Sequence, residues 1–233
     1  MTASPAGIVV FARMDSSRLP GKAMLPLGGA PMLAWTLRRC QAAGLPVSVA
    51  TTDRAVDDPV VHLAEAEGLK VYRGDAADVL GRARAAAEAF EIDSLIRISG
   101  DSPFIDPALI RRVTNAHEKE KPDLTTNVFP RTFPPGISAE AIPVATLDRI
   151  MAATRAPDDR EHVTKYVYEK KDEFRILNVS AQGGGYGGLH LAVDTKADYD
   201  RACRIINRIS GMMAGLEEIA AVALRLPAEE SVQ

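Results

Sequence analysis

The chain has 233 residues, 46% hydrophobic and 25% charged, which is enough apolar material for a buried core without any run of membrane-spanning length. Its formal net charge of −3 argues against a general nucleic-acid binder, which carries a basic excess, and leaves room for a local site for a small anion. The two cysteines, Cys40 and Cys203, lie far apart and outside any metal-ligand spacing, and the N-terminus lacks a basic start followed by an apolar signal region, so the chain reads as a cytoplasmic protein with reduced thiols.

Residues 8–11 (Ile-Val-Val-Phe) make a short apolar run, the pattern of a strand buried on both faces. A polar stretch follows that carries Arg13, Arg18 and Lys22 and is broken by Pro20 and Gly21. A helix is predicted over 31–43. Further strands are predicted over 47–51, 70–72 and 94–98, with amphipathic helices over 56–67 and 78–90. This alternation predicts an α/β fold, a parallel sheet covered by helices on both faces. Ligands of such sheets bind outside the carboxyl ends of the strands. The polar loops after Ala12, Thr52, Tyr72 and Ser99 are therefore expected to converge on one site.

Beyond about residue 122 the rhythm changes. Short strands over 124–127 and 137–142 flank the segment from Phe129 to Gly136, whose three prolines exclude a helix. Helices are expected over 146–154 and from Asp158-Asp159, whose carboxylates suit a helix N-terminus, to 171. Strands over 174–179 and 189–193 come next, then helices ending near 209 and spanning 216–226, with a frayed tail over 227–233. The glycine-rich stretch from Gln182 to Gly188 lacks the lysine–serine/threonine ending of a P-loop and reads as a connection between two strands. With no internal repeat and no long linker, residues 1–233 read as one domain. An insertion at about 127–164 interrupts it, and the apolar segment 137–142 is expected to form an edge that needs a partner, such as a second copy of the chain.

Three constellations carry chemistry. Guanidinium groups grip phosphate oxygens in pairs and lysine acts as a mobile point charge, so Arg13, Arg18 and Lys22 suit a polyphosphate cradle; a basic surface loop is the plainer reading. In Ser99-Gly100-Asp101, Gly100 permits a tight turn and close approach of a ligand, and Asp101 stands at the sheet rim, placed to hold a divalent ion. Asp106 before Pro107 is the better helix N-cap, which leaves Asp101 free. Asp194 ends a later alternating segment beside Thr195 and Asp198, which suffice as a capping box without it.

Ala12-Arg13-Met14-x-Ser16-x-Arg18-Leu19-Pro20-Gly21-Lys22, Gly100-Asp101-x-Pro103-x-Ile105-Asp106 and Val193-Asp194-Thr195-x-x-Asp198 together resemble the motifs of the nucleotide-sugar cytidylyltransferases. These enzymes activate 3-deoxy sugar acids such as sialic acid and 3-deoxy-manno-octulosonate. The chain looks most like the spore-coat polysaccharide biosynthesis branch, from about Gly7 to Leu226. The resemblance implies a Rossmann-like, glycosyltransferase-A-like three-layer sandwich with a mostly parallel sheet and a central dimerisation and acceptor insertion. It implies transfer of CMP from CTP, with Mg²⁺ held by Asp101 and Asp194, and a homodimer. Arg13, Lys22 and Asp101 would be catalytic. Ala12, Met14, Ser17, Arg18, Arg73, Arg82 and Ser99 would join them around the nucleotide. Asn127, Gly136, Glu140, Arg160, His162 and Lys165 would meet a small anionic acceptor. Ser17 and Ser138-Ala139-Glu140 differ from the usual Thr and Asp-Val-Glu, which leaves the acceptor open. A sugar-1-phosphate or isoprenoid-precursor nucleotidyltransferase shares this architecture, and a non-catalytic nucleotide-binding regulator is the reading from another class.

Overall fold

The computed structural model describes residues 6–182, 186 and 188–226, so the expected tail over 227–233 and most of the glycine-rich connection lie outside the described residues. In chain order come β1 (Ala6–Phe11), β2 (Pro26–Leu27), β3 (Ala30–Pro31), α1 (Met32–Gln41), β4 (Val47–Thr52), α2 (Asp58–Ala66), β5 (Lys70–Gly74), α3 (Val79–Ala89), β6 (Ser94–Ser99) and α4 (Pro107–Glu120). The second half adds β7 (Leu124–Thr126), β8 (Glu140–Pro143), α5 (Val144–Ala153), α6 (Pro157–Glu161), α7 (Lys165–Glu169), β9 (Ile176–Asn178), α8 (Lys196–Ile206) and α9 (Leu216–Arg225).

Seven strands form one sheet in the order β5-β4-β1-β6-β8-β7-β9. It is mostly parallel, because only β8 runs against its neighbours β6 and β7. Side chains alternate across it. Ile8 and Val10 pack into one core with Leu33 and Leu37 of α1, Val60 of α2, Leu109 and Val113 of α4, Ile205 of α8 and Ile219 of α9. Val9 points the other way, into a second core with Leu80 of α3, Leu147 and Ile150 of α5 and Val167 of α7. β1 is thus buried on both faces, which accounts for its unbroken apolar run and makes the expected three-layer α/β architecture.

The local end signals hold. Asp106 Oδ1 accepts from the N–H groups of Ala108 (2.6 Å) and Leu109 (3.2 Å). Thr195 and Asp198 form the reciprocal capping box of α8, and α6 begins with Asp158 and Asp159 in its first turn.

Three expectations need correction, and one stretch holds elements that were not expected. The segment 137–142 is no edge: β8 lies inside the sheet between β6 and β7, and Ile137 and Ile142 are fully buried. The outer strands are β5 and β9. The helix expected from Asp158 to 171 breaks into α6 and α7, because the chain turns at His162 to bury Val163 in the second core. Residues 189–193 keep their alternation, with Leu189, Leu191 and Val193 buried. They form no ladder, however: Leu191 N donates to Pro135 O (2.8 Å) and Val193 N to Asp101 O (3.1 Å), so the segment crosses strand ends instead of joining the sheet. Between the polar loop and α1 stand a 3-10 turn (Lys22–Met24) and the β2–β3 hairpin, neither of which the pattern announces. No helix among the described residues is long and apolar enough to cross a membrane.

Candidate active site

The loop leaving β1 is fixed from below. Met14 N donates to Asp57 Oδ1 at 2.6 Å, and Met14 O accepts from Ser16 N (3.0 Å) and Gly21 N (2.8 Å). Asp57 is fully buried in the 3-10 turn before α2 and also accepts from the Thr52 hydroxyl and from Arg54. A buried carboxylate is tolerated there because each oxygen has a donor.

The 3-10 turn that follows sends Lys22 across the carboxyl edge of the sheet. Its Nζ donates at 2.9 Å to each of Asp101 Oδ2, Asp194 Oδ1 and Val193 O. Arg18 reaches Asp194 at 3.2 Å. Two aspartates from distant parts of the chain meet here because Val193 N bonds Asp101 O, which ties residues 191–194 to the end of β6. Gly100 is needed for a reason other than ligand approach: a Cβ there would sit 2.8 Å from Ala12 Cβ and 3.0 Å from Phe11 O, so the exit of β1 occupies that space.

A cavity of about 380 Å³ opens over the ends of β1 and β6. Of the predicted residues, it gathers Ala12, Arg13, Ser17, Arg18, Lys22, Arg82, Ser99, Asp101, Asp194 and His162. Arg13 is half-exposed and lies 3.5 Å from Asp15 and 3.9 Å from Glu161. Arg82 is buried, donates to Asp75 O, and has an Nε without a partner. Burial and the nearby Arg13 charge lower its pKa, against the opposing pull of Asp57, Asp75 and Asp78, yet a guanidinium stays charged at neutral pH, so the cavity keeps a buried cation.

Other predicted residues lie outside the lining of this cavity. Met14 contributes its backbone. Arg73 is spent on Thr52 O (2.9 Å), Arg54 O (2.8 Å) and Asp58 (2.7 Å). Asn127 is fully buried, donating to Ile137 O (2.6 Å) and accepting from Ala139 N (2.9 Å). Gly136, at φ +90°, packs where any Cβ would collide with the backbone of Leu191 and Ala192. Arg160 pairs with Asp78, the N-cap of α3, and so pins α6 to α3. Lys165 lies 2.8 Å from Glu169, 3.0 Å from Asp158 and 3.1 Å from Asp159. It lines a second cavity of about 460 Å³, whose wall shares Arg97 and His162 with the first. Glu140 is buried beneath that junction, 2.7 Å from Arg97. Sequence reading passed over Arg97 and Asp57; the signal for Arg97 is a lone cation inside the apolar run of β6.

The donor set fits a divalent cation. The facing oxygens of Asp101 and Asp194 already surround one cationic centre, the Lys22 ammonium. Two hard carboxylates are what Mg²⁺ takes from a protein when substrate phosphates and waters complete its octahedron. No group of three or more His, Cys, Asp or Glu among the described residues could hold a metal.

A family model described as cytidylyltransferase matches residues 7–213. The spore coat polysaccharide biosynthesis protein SpsF of Bacillus subtilis is 30% identical over 82% of this chain and 82% of its own length. A 3-deoxy-manno-octulosonate cytidylyltransferase of Mesorhizobium japonicum is 34% identical over 86% of this chain and 98% of its own. A solved cytidylyltransferase from Leptospira borgpetersenii superposes with a TM-score of 0.91 at 27% identity, covering 97% of this chain and all of that one.

Proposed function

We propose, because this chain belongs to the cytidylyltransferase family of nucleotidyltransferases, that it transfers CMP from CTP to a small anionic acceptor and releases pyrophosphate. The acceptor would be a 3-deoxy sugar acid or a related surface-glycan precursor, in keeping with the names of its relatives. One observation carries this reading: Lys22, Asp101 and Asp194 meet at the rim of a cavity that also holds Arg13, Arg18 and Arg82.

Each residue has a physical task. Arg13 and Arg18 are exposed enough to swing onto the outer phosphates of CTP, and Lys22 would turn from the aspartates to the same oxygens. Asp101 and Asp194 would hold Mg²⁺, which when bound neutralises phosphate charge and lowers the pKa of an acceptor hydroxyl. Fixed cations around the leaving pyrophosphate favour in-line attack by the acceptor oxygen on the α-phosphorus. The second cavity adjoins through Arg97 and His162 and would seat the acceptor. Work on CTP in the reducing cytoplasm suits the free thiols of Cys40 and Cys203. Homodimer pairing would run through the arm after β7, where Phe129 is exposed and packs against Tyr168 with the rings tilted by 30°.

The test is pyrophosphate release with CTP, UTP, ATP or GTP, with and without Mg²⁺, against a panel of sugar acids, a sugar-1-phosphate and an aminoalkyl phosphonate. Metal-dependent release with CTP and a sugar acid alone supports the proposal. Release with another nucleotide, or with none of the acceptors, overturns it.

A further inference from the structure

Arg97 has no task in the reaction as described above. Its neighbours in β6, Ile96 and Ile98, are fully buried in the first core, so its own side chain leaves the sheet on the opposite face. There NH1 donates to Glu140 Oε2 on the adjoining β8 at 2.7 Å. The other Glu140 oxygen accepts from the Tyr168 hydroxyl, which also pairs with Thr126 Oγ1 at 2.9 Å. Burial and the Glu140 charge hold the Tyr168 pKa well above its ordinary value, so this hydroxyl remains a donor. Glu140, with only 4% of its side chain exposed, is thereby clamped and in turn holds one edge of the guanidinium.

The rest of Arg97 is unspent. Its Nε is buried and has no hydrogen-bond partner, a costly state for a charged donor. The side chain as a whole keeps 29% exposure and lines both cavities, at the one wall where nucleotide and acceptor must meet. The other cation of the second cavity, Lys165, is already surrounded by Asp158, Asp159 and Glu169. A single compact positive group at the junction, with acidic side chains beyond it, suits a monoanionic carboxylate better than a dianionic phosphate.

We propose that Arg97 is the specificity-determining residue for the acceptor: the exposed part of the guanidinium, which Glu140 does not hold, binds the acceptor's carboxylate beside the hydroxyl that attacks CTP. This rests on the cytidylyl-transfer reading above. The competing role is structural, an ion pair that merely ties β6 to β8. Changing Arg97 alone would strand a buried Glu140 charge and endanger the fold, so the informative variant is the double change Arg97→Gln with Glu140→Gln, which leaves a neutral hydrogen-bonded pair.

The probes are 3-deoxy-manno-octulosonate and its C1 carboxamide, titrated calorimetrically against wild type and double variant, with folding checked by thermal melts. Wild type should prefer the acid by about tenfold or more, the worth of one charge-assisted hydrogen bond, and the variant should bind acid and amide about equally. A preference that survives in the variant overturns the proposal. So does an equal loss for both probes, or a wild type that binds neither or shows no preference. A parallel CTP titration separates the two readings. Wild type that binds CTP but fails the acid–amide comparison loses only the Arg97 assignment. Wild type that does not bind CTP loses the transfer reaction, while the acid–amide ratio still judges Arg97.

Discussion

Lys22 spends its ammonium hydrogens on two carboxylates and a carbonyl, and its side chain is only 12% exposed, so replacing it acts in two directions. Lys22→Ala should weaken CTP by about tenfold or more while changing CMP little, because the lost contact is to the outer phosphates. The same change removes the ammonium between Asp101 and Asp194 and leaves only the exposed Arg18 beside Asp194, so the variant should bind Mn²⁺ alone more tightly than wild type does. Calorimetry reads both, and equal losses for CTP and CMP would place Lys22 off the triphosphate. Asp101→Asn or Asp194→Asn should cut turnover by about a hundredfold or more with the melting temperature nearly unchanged. Steady-state pyrophosphate assays at limiting Mg²⁺ decide it, and near-normal rates in both variants would remove the metal assignment. Arg13, Arg18, Lys22, Asp101 and Asp194 were each legible because each sits in a short local motif, and the family resemblance, not the spacing, put the two aspartates together. Arg97 and Asp57 were not, since their meaning depends on partners 43 residues away in both cases: Glu140 for Arg97, Met14 for Asp57.

At the scale of elements, end signals translate into stability. Thr195→Ala removes the side chain that accepts from Asp198 N and should cost about 1 kcal/mol, seen as a lower urea midpoint with an unchanged m-value. α4 carries a buried histidine, His117, between Thr125 Oγ1 (3.1 Å) and Ser94 Oγ (3.2 Å), and burial lowers its pKa below the ordinary 6.5. The folded protein therefore keeps it neutral while the unfolded chain takes up a proton below 6.5. Its stabilising share is present in full above that value and is lost as pH falls through the folded-state pKa. Comparing urea midpoints at about pH 7.5 and about pH 5.5, His117→Gln should lose less stability on acidification than wild type. An identical pH slope in the two proteins would show that His117 does not titrate on unfolding. Helix α6–α7 shows where element reading stops: the acidic start at Asp158 was legible, and the break at His162 was not, because it serves the burial of Val163.

For the whole molecule, the place of β8 changes what a substitution means. Because Ile142 is fully buried between β6 and β7, Ile142→Asp should leave little folded protein, since it puts an unpaired carboxylate in the second core. Circular dichroism and thermal melts check this; a well-folded variant that merely sediments as a smaller species would restore the edge-strand reading. The chain order of strands and helices through β6, apart from the β2–β3 hairpin, and the caps at Asp106 and Thr195 followed from sequence alone, because apolar period and capping chemistry act within a few residues. The second half depended on contacts that no local pattern encodes. The antiparallel insertion of β8, the crossing of residues 189–193 over strand ends, and the meeting of Asp194 with Asp101 are each settled by single hydrogen bonds and core packing between distant segments. Only once the sheet is assembled does Arg97, an isolated charge in an apolar strand, come to stand between two cavities.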